Sequence, residues 1–234
     1  MWPGKGPADL RNAFFYLMWL EQDALVTTPT PTNDAARVLT IAQAAFGDLR
    51  GLLVAVPDAL VDTAPAPQEW SVRQTMEHAI RVERSYRANC VYAVTRSDDQ
   101  PVAMPAELRP QADPADTTGD ALAIALAFAR RRMETDDALA QLDASALDRP
   151  TRYGPVDVAF DVDLRFRLHR FAVHIAEHAQ QIDTTLRALG QRETDAQAYV
   201  RRLSVLRARH ERRSPRDVLA RLDAAAAEVA SAAH

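Results

Sequence analysis

Four long segments of the chain carry apolar residues at the three- and four-residue spacing of an α-helix, and proline-containing segments separate them. This spacing gives each helix one apolar face, which has to be buried against another element. Strand-like alternation occurs only as a brief candidate between Tyr153 and Phe160. The sequence therefore predicts an all-α fold whose core is a bundle of four helices. The predicted core helices are 35–56, 71–95, 120–142 and 162–190.

Two of these helices carry recognisable end signals. Ser71, followed three residues later by Gln74, is typical of a capping box at a helix N-terminus. Gly190 follows the last apolar residues of the fourth helix and suits the C′ position, where a positive φ is favoured. These signals define the beginning of the second helix and the end of the fourth.

The segment 96–117 connects the second and third predicted helices. It contains Pro101, Pro105, Pro110 and Pro114 and shows little periodicity, and so long a structureless connection is unusual in a compact domain. An extended chain advances by about 3.3 Å per residue, compared with about 1.5 Å in a helix. The segment can therefore run back along a neighbouring helix, so that the third helix begins at the same end of the bundle as the second.

The third predicted helix carries an apolar stripe that includes Leu122, Leu126 and Met133, and we expect this stripe to face the core. Three consecutive arginines lie next to the stripe. We interpret them as a solvated face rather than as a nucleic-acid-binding patch. These arginines are Arg130, Arg131 and Arg132.

Helical patterns also occur at both ends of the chain. Residues 8–25 predict a short amphipathic helix, and a segment rich in proline and threonine follows it. Two further helical patterns follow Gly190, the second of which begins at Ser214-Pro215. We therefore predict an N-terminal extension (1–34), a four-helix bundle (35–190) and a C-terminal helical hairpin (191–234).

The charge balance gives no reason to expect a nucleic acid or a membrane as a partner. The chain has 28 Lys and Arg against 32 Asp and Glu, a formal net charge of −4. The apolar run from Phe14 to Leu20 is far shorter than the ~20 residues of a membrane span. A cluster of arginines leaves nucleic-acid binding as an alternative that salt-dependent DNA binding would test. The cluster consists of Arg201, Arg202, Arg207, Arg209, Arg212 and Arg213.

The single cysteine, Cys90, cannot form an internal disulfide or a cysteine-rich zinc site. Cys90 is a rival nucleophile, but it lies about 120° around the helix from the face of His78. We therefore expect it to be a small buried apolar residue. Cysteine usage gives no sign of an oxidising compartment, and we expect a cytoplasmic protein.

Two histidines in the fourth predicted helix, His174 and His178, lie four residues apart. At about 100° per residue, four residues return to within about 40° of the starting direction, so both imidazoles leave the same face of the helix. His169 lies about 140° from one and about 180° from the other, which excludes it from that face. The pair could bind one metal ion, and a third ligand has to come from another element.

His78 is the candidate third ligand. It lies two turns into the second predicted helix, and a long bundle helix can bring it opposite the fourth. Neutral imidazole is a common ligand of zinc, nickel and iron, and three protein ligands with one open position are typical of a catalytic metal. From the residues alone a site without metal stays open, because histidines also lie four apart in helices that bind no metal.

The order and spacing of these motifs resemble the DinB-like superfamily. The resemblance is carried by the Trp70-Ser71 helix start, by His78 seven residues after Ser71, and by the distant pair within 174–182, which ends in Ile182. It covers about residues 35–190 and neither end of the chain.

The resemblance implies a four-helix bundle of up-down-down-up connectivity with a long crossover between helices 2 and 3. It also implies a divalent metal held by His78, His174 and His178, with zinc or nickel expected ahead of iron. Family members of known activity are thiol-dependent transferases and isomerases, in which a low-molecular-weight thiol binds at the metal. We therefore expect a thiol-dependent S-transferase, or a related hydrolase, that acts on small electrophiles.

Four residues near these positions complete the predicted site. Gln181 lies one turn after His178, where it can support a ligand. Arg81, Arg167 and Arg170 lie near the ligands along their helices and could hold the carboxylates of a thiol cofactor. For each arginine the alternative is an ordinary solvated surface position.

A non-catalytic metal-binding or stress-associated bundle protein is the alternative function. An open pocket that contains the three imidazoles favours the enzyme, whereas a site plugged by Tyr86, Phe171 or the terminal extensions favours the alternative. As partners we expect a small-molecule substrate and a thiol, with no nucleic acid and no membrane, and a homodimer is left open.

Overall fold

The computed structural model describes residues 10–154 and 158–232. Helices make up most of this part of the chain, and one short pair of strands precedes α7. The helices are α1 (Leu10–Thr27), α2 (Asp34–Leu53), α3 (Asp58–Val61), α4 (Val72–Thr95), α5 (Ala121–Leu139), α6 (Ala144–Leu147), α7 (Leu164–Ala188), α8 (Asp195–His210) and α9 (Arg216–Ala232), and the strands are β1 (Pro150–Tyr153) and β2 (Phe160–Asp163).

Helices α2, α4, α5 and α7 form the four-helix bundle that the sequence predicts. An ion pair between Asp34 and Arg165 joins the N-terminal ends of α2 and α7, so these helices are parallel. In contrast, His78 near the start of α4 contacts His178 in the second half of α7, so α4 is antiparallel to α7. Ion pairs in the same order along α4 and α5 show that these two are parallel. The connectivity is up-down-down-up.

The predicted crossover connects α4 to α5. It contains two 3₁₀ turns, Ala106–Leu108 and Pro114–Thr117, and is otherwise irregular. Asp116 anchors it to the bundle, because its carboxylate accepts hydrogen bonds from Arg84 on α4 and Arg131 on α5. The long proline-rich connection thus returns the chain to the end of the bundle at which α4 begins.

The predicted end signals are present. The Ser71 side chain accepts from the backbone N–H of Gln74, and the Gln74 side chain accepts from the backbone N–H of Ser71, which completes the capping box at the start of α4. Gly190 has a φ of +84°, as expected for a C′ residue after α7.

The core consists of two apolar clusters at successive levels of the bundle. One surrounds Phe46 and Phe128, whose ring centroids lie 5.2 Å apart. The other contains Leu139, Phe171 and Cys90. Cys90 is fully buried and burial raises the pKa of its thiol to about 12, in agreement with the predicted buried role.

Between these clusters lies an ion pair that the sequence did not predict. The side chain of Arg132 is fully buried and donates to Glu83 on α4 (2.7 Å) and to Asp136 (2.8 Å). Thr135 donates to the same Glu83 oxygen at 2.6 Å. The interpretation of Arg130, Arg131 and Arg132 as a solvated face is therefore wrong for Arg132, whereas Arg130 is exposed.

The inward face of α5 also differs from the predicted stripe. Ile124, Phe128 and Arg132 point into the bundle, whereas Leu122, Leu126 and Met133 are 51%, 54% and 46% exposed. The predicted rotation of α5 is wrong because its buried face includes two polar residues, Arg132 and Thr135, which apolar spacing does not identify.

The strands β1 and β2 form an antiparallel hairpin in which Pro150 pairs with Asp163 and Tyr153 with Phe160. The sequence indicated only the stretch 153–160, of which Tyr153 ends β1 and Phe160 begins β2, while residues 155–157 lie outside the described residues. Asp163 is also the N-cap of α7, since its side chain accepts from the backbone N–H of Phe166. The hairpin therefore leads directly into the helix that carries two of the three histidines.

Of the terminal helices, α8 packs against the bundle, α1 packs against α8, and α9 packs against α1. Helix α8 crosses α2 so closely that a Cβ at Gly47 would lie 2.6 Å from the Cβ of Ala208. Arg207 on α8 donates to Glu21 on α1 at 2.9 Å.

The beginning of the predicted helix 8–25 lies outside the described residues. The domain boundaries at 34 and 190 stay a prediction. In the part of the chain that the structure describes, no helix is long and apolar enough to cross a membrane.

Replacement of Arg132 tests the buried ion pair. Arg132→Ala leaves the Glu83 carboxylate buried without its cation, and we expect the free energy of unfolding to fall by about 3–5 kcal/mol. The exposed neighbour serves as the matched control, and Arg130→Ala should change it by less than about 0.5 kcal/mol. Urea denaturation measures both, and equal losses would contradict the assignment.

Candidate metal centre

Three histidines from two helices converge on one point between α4 and α7. The Nε2 atoms of His174 and His178 lie 3.0 Å apart, and Nε2 of His78 lies 3.4 Å from that of His174. One nitrogen from each ring falls within 4.8 Å of the others. The group combines one ligand candidate from α4 with two from α7.

Helix geometry explains the convergence. His174 and His178 lie one turn apart on the same face of α7, and both are buried. The capping box starts α4 at Val72, which places His78 two turns into an antiparallel neighbour. His169 is exposed on another face of α7, as its angle predicted.

Burial keeps the three imidazoles uncharged at neutral pH. It is the largest cause of the lowered pKa of each ring, and the neighbouring histidines His178 and His78 further lower the pKa of His174, to about 3. A neutral imidazole has a free lone pair on one nitrogen, which is the form that binds a metal.

Gln181 orients His178. Nδ1 of the ring lies 3.0 Å from Oε1 of Gln181, an oxygen that can only accept, so Nδ1 carries the proton. The lone pair of His178 is then on Nε2, the atom that lies 3.0 Å from Nε2 of His174. A hydrogen bond of this kind fixes the tautomer of a metal-binding histidine.

His78 has the opposite arrangement. Nη2 of Arg81, which can only donate, lies 3.0 Å from Nδ1 of His78. The lone pair is therefore on Nδ1, and the proton is on the Nε2 that faces His174. Arg81 lies three residues after His78, as Gln181 does after His178, but it offers a donor where Gln181 offers an acceptor.

The spacing of the three rings fits a metal ion. Two nitrogens that are each 2.0–2.1 Å from a tetrahedral zinc lie about 3.3 Å apart, which is close to the observed 3.0 and 3.4 Å. The donor set of three neutral imidazoles suits zinc, nickel and iron. The residues therefore fit a divalent ion. When Nε2 of His78 binds the ion, Nδ1 carries the proton, so the guanidinium of Arg81 can no longer donate to Nδ1 and has to move away.

An open cavity of about 640 Å³ lies against the group and is lined in part by His78 and His174. Tyr86 and Tyr153 also line it, and their hydroxyl oxygens lie 3.4 Å apart. Burial is the largest cause that raises the pKa of Tyr86 to about 12, so its phenol stays protonated. Tyr86 borders this cavity without closing it.

The four other predicted site residues have different surroundings. Arg167 lines the cavity and is buried, whereas Gln181 and Arg81 contact the ligand candidates. Arg170 lies beside Tyr153, with its Cζ 5.7 Å from the ring centre. Their role in binding a thiol stays a prediction.

Sequence analysis missed two arginines that line the cavity. Arg109 comes from the crossover and Arg152 from β1. Both lie in segments without helical periodicity, so no sequence signal connected them to the histidines. Trp70 contacts the site as well, with its ring centroid 5.2 Å from that of His78.

Together, the fold and the site define a four-helix bundle with a three-histidine group beside an open cavity. The family profile described as the DinB superfamily matches residues 41–182. The chain belongs to this superfamily.

Among solved structures, the chain is similar to YfiT from Bacillus subtilis, described as a probable metal-dependent hydrolase with an unusual four-helix bundle topology. The two chains are 16% identical with a TM-score of 0.54, and the match covers 70% of this chain and 92% of YfiT. This likeness concerns the fold. Comparison with curated proteins gave no match.

Gln181→Leu tests the orientation of His178. Loss of the acceptor removes the preference for the Nδ1 tautomer, and we expect metal affinity to fall about 10- to 100-fold. The neighbouring exposed residue provides the control, and Gln180→Leu should leave the affinity unchanged. Competition with a chromophoric chelator measures both variants, and equal affinities would contradict the assigned role.

Arg81→Gln tests the opposite arrangement at His78. The glutamine oxygen can accept from Nδ1–H, as Gln181 does at His178, and we expect metal affinity to rise about tenfold. Arg187→Gln, which removes an equal charge from the exposed end of α7, controls for electrostatics. An affinity gain of the same size in both variants would show that charge alone is responsible.

Proposed function

We propose that this protein is a divalent-metal-dependent enzyme that acts on small electrophiles, as a low-molecular-weight-thiol-dependent S-transferase or a related hydrolase. His78, His174 and His178 hold the metal in this proposal, with zinc or nickel expected ahead of iron. The observation that carries it is the convergence of three uncharged imidazoles beside an open cavity.

The histidines supply three neutral ligands and leave room for a fourth on the cavity side. A divalent ion in such a site lowers the pKa of a bound water to about 7 and stabilises a bound thiolate in the same way. Either nucleophile would then be present at neutral pH. Hydrolysis and thiol transfer therefore need the same three histidine ligands and the same open position.

The surrounding side chains have separate tasks in this proposal. Gln181 keeps the lone pair of His178 on Nε2. Tyr86 stays protonated and can donate a hydrogen bond to an oxygen of the substrate. Arg167 and Arg170 are the proposed partners of the thiol carboxylates, and Arg81 joins them once it has left His78.

The open cavity favours an enzyme over a non-catalytic bundle protein. Phe171 is buried in the core, and Tyr86 borders the cavity. The described residues that line the cavity come from α4, the crossover, β1 and the adjacent Gly154 and Ala159, and α7, and none comes from α1, α8 or α9. A small molecule can therefore approach His78 and His174 from solvent.

Substitution of the ligands tests the proposal directly. His78→Ala, His174→Ala and His178→Ala should each remove most of the metal and at least 90% of the turnover, since each deletes one of three ligands. His169→Ala is the matched control from the exposed face of α7 and should retain both.

Elemental analysis and two assays provide the readouts. One assay follows conjugation of a thiol to 1-chloro-2,4-dinitrobenzene, and the other follows hydrolysis of p-nitrophenyl acetate. Full metal occupancy in all three alanine variants would refute the site, and full occupancy of the unaltered protein without either activity would favour the non-catalytic alternative.

A further inference from the structure

A second open cavity, of about 600 Å³, lies where both terminal extensions meet the bundle. Its walls come from the linker before α2 (29–33), from α2, from the C-terminal end of α5 and from the end of α8 with the turn that follows it. We call it the linker cavity. Among the described residues, none lines both this cavity and the one beside the histidines. The linker cavity is therefore a separate candidate for a binding site.

Gln43 on α2 lines the linker cavity and has a buried acceptor without a donor. The residue is 2% exposed. Its Nε2 donates to Oε1 of Glu211 at 2.8 Å, and because a carboxylate paired with Arg50 can only accept, this bond fixes the orientation of the amide. Oε1 of Gln43 then receives no hydrogen bond within the described residues. A buried carbonyl oxygen without a donor is unfavourable, and an N–H group of a ligand in the cavity would satisfy it.

Asp137 adds a carboxylate to the same cavity. It is exposed and forms no ion pair within the described residues. Its neighbour Asp136 also lines the cavity but already accepts from the buried Arg132 at 2.8 Å. Gln43 and Asp137 therefore supply free acceptors for a positively charged donor group.

Arg213 supplies the opposite charge. Its guanidinium donates to the carbonyl oxygens of Pro29 (2.9 Å) and Arg209 (2.8 Å) and to Oγ1 of Thr40 (3.1 Å), all of which are neutral. Partial burial lowers the pKa of Arg213. The three bonds leave two of the five N–H groups of a guanidinium free. Since Thr40 lies three positions before Gln43 on α2, the free donors of Arg213 and the free acceptor of Gln43 are about one helical turn apart.

The charges of the lining balance one another. Arg212 is the second guanidinium of the cavity, and its contact with Asp136 is 3.6 Å long. Two carboxylates therefore line the cavity together with two guanidiniums. A simple anion would meet the carboxylates and a simple cation would meet the guanidiniums, whereas a zwitterion can satisfy both. An α-amino acid is such a zwitterion, and one carbon atom separates its ammonium from its carboxylate.

The rest of the lining suits an apolar side chain. Ala36 and Leu39 on α2, Ala140 after α5, and Pro29 and Pro31 in the linker border the cavity. Burial of an aliphatic side chain against these surfaces would add to binding.

We propose that the linker cavity binds a free α-amino acid with an apolar side chain. Its ammonium donates to Oε1 of Gln43 and to the carboxylate of Asp137, and its carboxylate accepts from Arg213 and Arg212. This site shares no residue with the three-histidine group and goes beyond the proposed function.

Calorimetric titration of the full-length protein with L-leucine tests the inference. N-acetyl-L-leucine lacks the ammonium and L-leucinamide lacks the carboxylate, so each removes one half of the zwitterion. L-Leucine should bind at least tenfold more tightly than either compound. Equal affinities for the three compounds would overturn the inference, and so would the absence of leucine binding.

Two variants locate the bound ammonium. Gln43→Leu removes the buried acceptor and should weaken leucine binding tenfold or more, and Asp137→Asn should weaken it at least threefold. Asp217→Asn, which removes an equal charge from an exposed position on α9, is the control and should leave binding unchanged. Asp137 is exposed, so its variant keeps the test valid if Gln43→Leu fails to fold. Variants that both bind leucine as Asp217→Asn does would contradict the assigned contacts.

Metal removal separates this site from the histidine group, because free amino acids also bind metal ions. The titration is repeated after treatment of the protein with a chelator and dialysis. Leucine should bind the metal-free protein as tightly as the metal-loaded one. Binding that disappears with the metal would place leucine at the histidines and overturn the inference.

Discussion

Three imidazoles can share one site only if they are uncharged, and burial between α4 and α7 provides that condition. If the rings were protonated, their mutual repulsion at Nε2 separations of 3.0 and 3.4 Å would separate the helices. Desolvation lowers the pKa of each ring, so the lone pairs are available at neutral pH. The proposed metal site, the position of the cavity and the proposed chemistry all depend on this contact between two antiparallel helices.

The rest of the bundle fixes the position of these helices. The ion pair between Glu83 and Arg132 joins α4 to α5 one to two turns from His78, and Asp116 ties the crossover to both helices. A buried ion pair tolerates little displacement, because loss of either partner leaves a desolvated charge. The crossover and the hairpin also carry Arg109 and Arg152 to the cavity. The irregular segments therefore supply charge to a site whose histidines come from regular helices.

Helical spacing and capping signals were enough to predict the bundle, the start of α4 at Ser71, the shared face of His174 and His178, and His78 as a candidate third residue. These features depend on local rules, since residues four apart share a helix face and Ser71 with Gln74 forms a capping box. Resemblance to the DinB superfamily added the connectivity.

The rotation of α5 could not be predicted, because the buried Arg132 and Thr135 are satisfied by Glu83, a partner about 50 positions earlier in the chain. Arg109 and Arg152 reach the cavity through irregular segments, for which spacing gives no direction. The opposite hydrogen bonds of Arg81 and Gln181 depend on side-chain geometry alone.

The central claim is that His78, His174 and His178 bind one divalent ion through nitrogen. X-ray absorption at the metal edge of the unaltered, untagged protein, combined with elemental analysis, tests it most directly. The expected result is about one zinc, nickel or iron per chain, with a first shell of three imidazole nitrogens at about 2.0–2.1 Å and one further light ligand. Protein that contains no stoichiometric metal after growth and refolding with each of these ions would contradict the claim, and so would a shell without imidazole scattering.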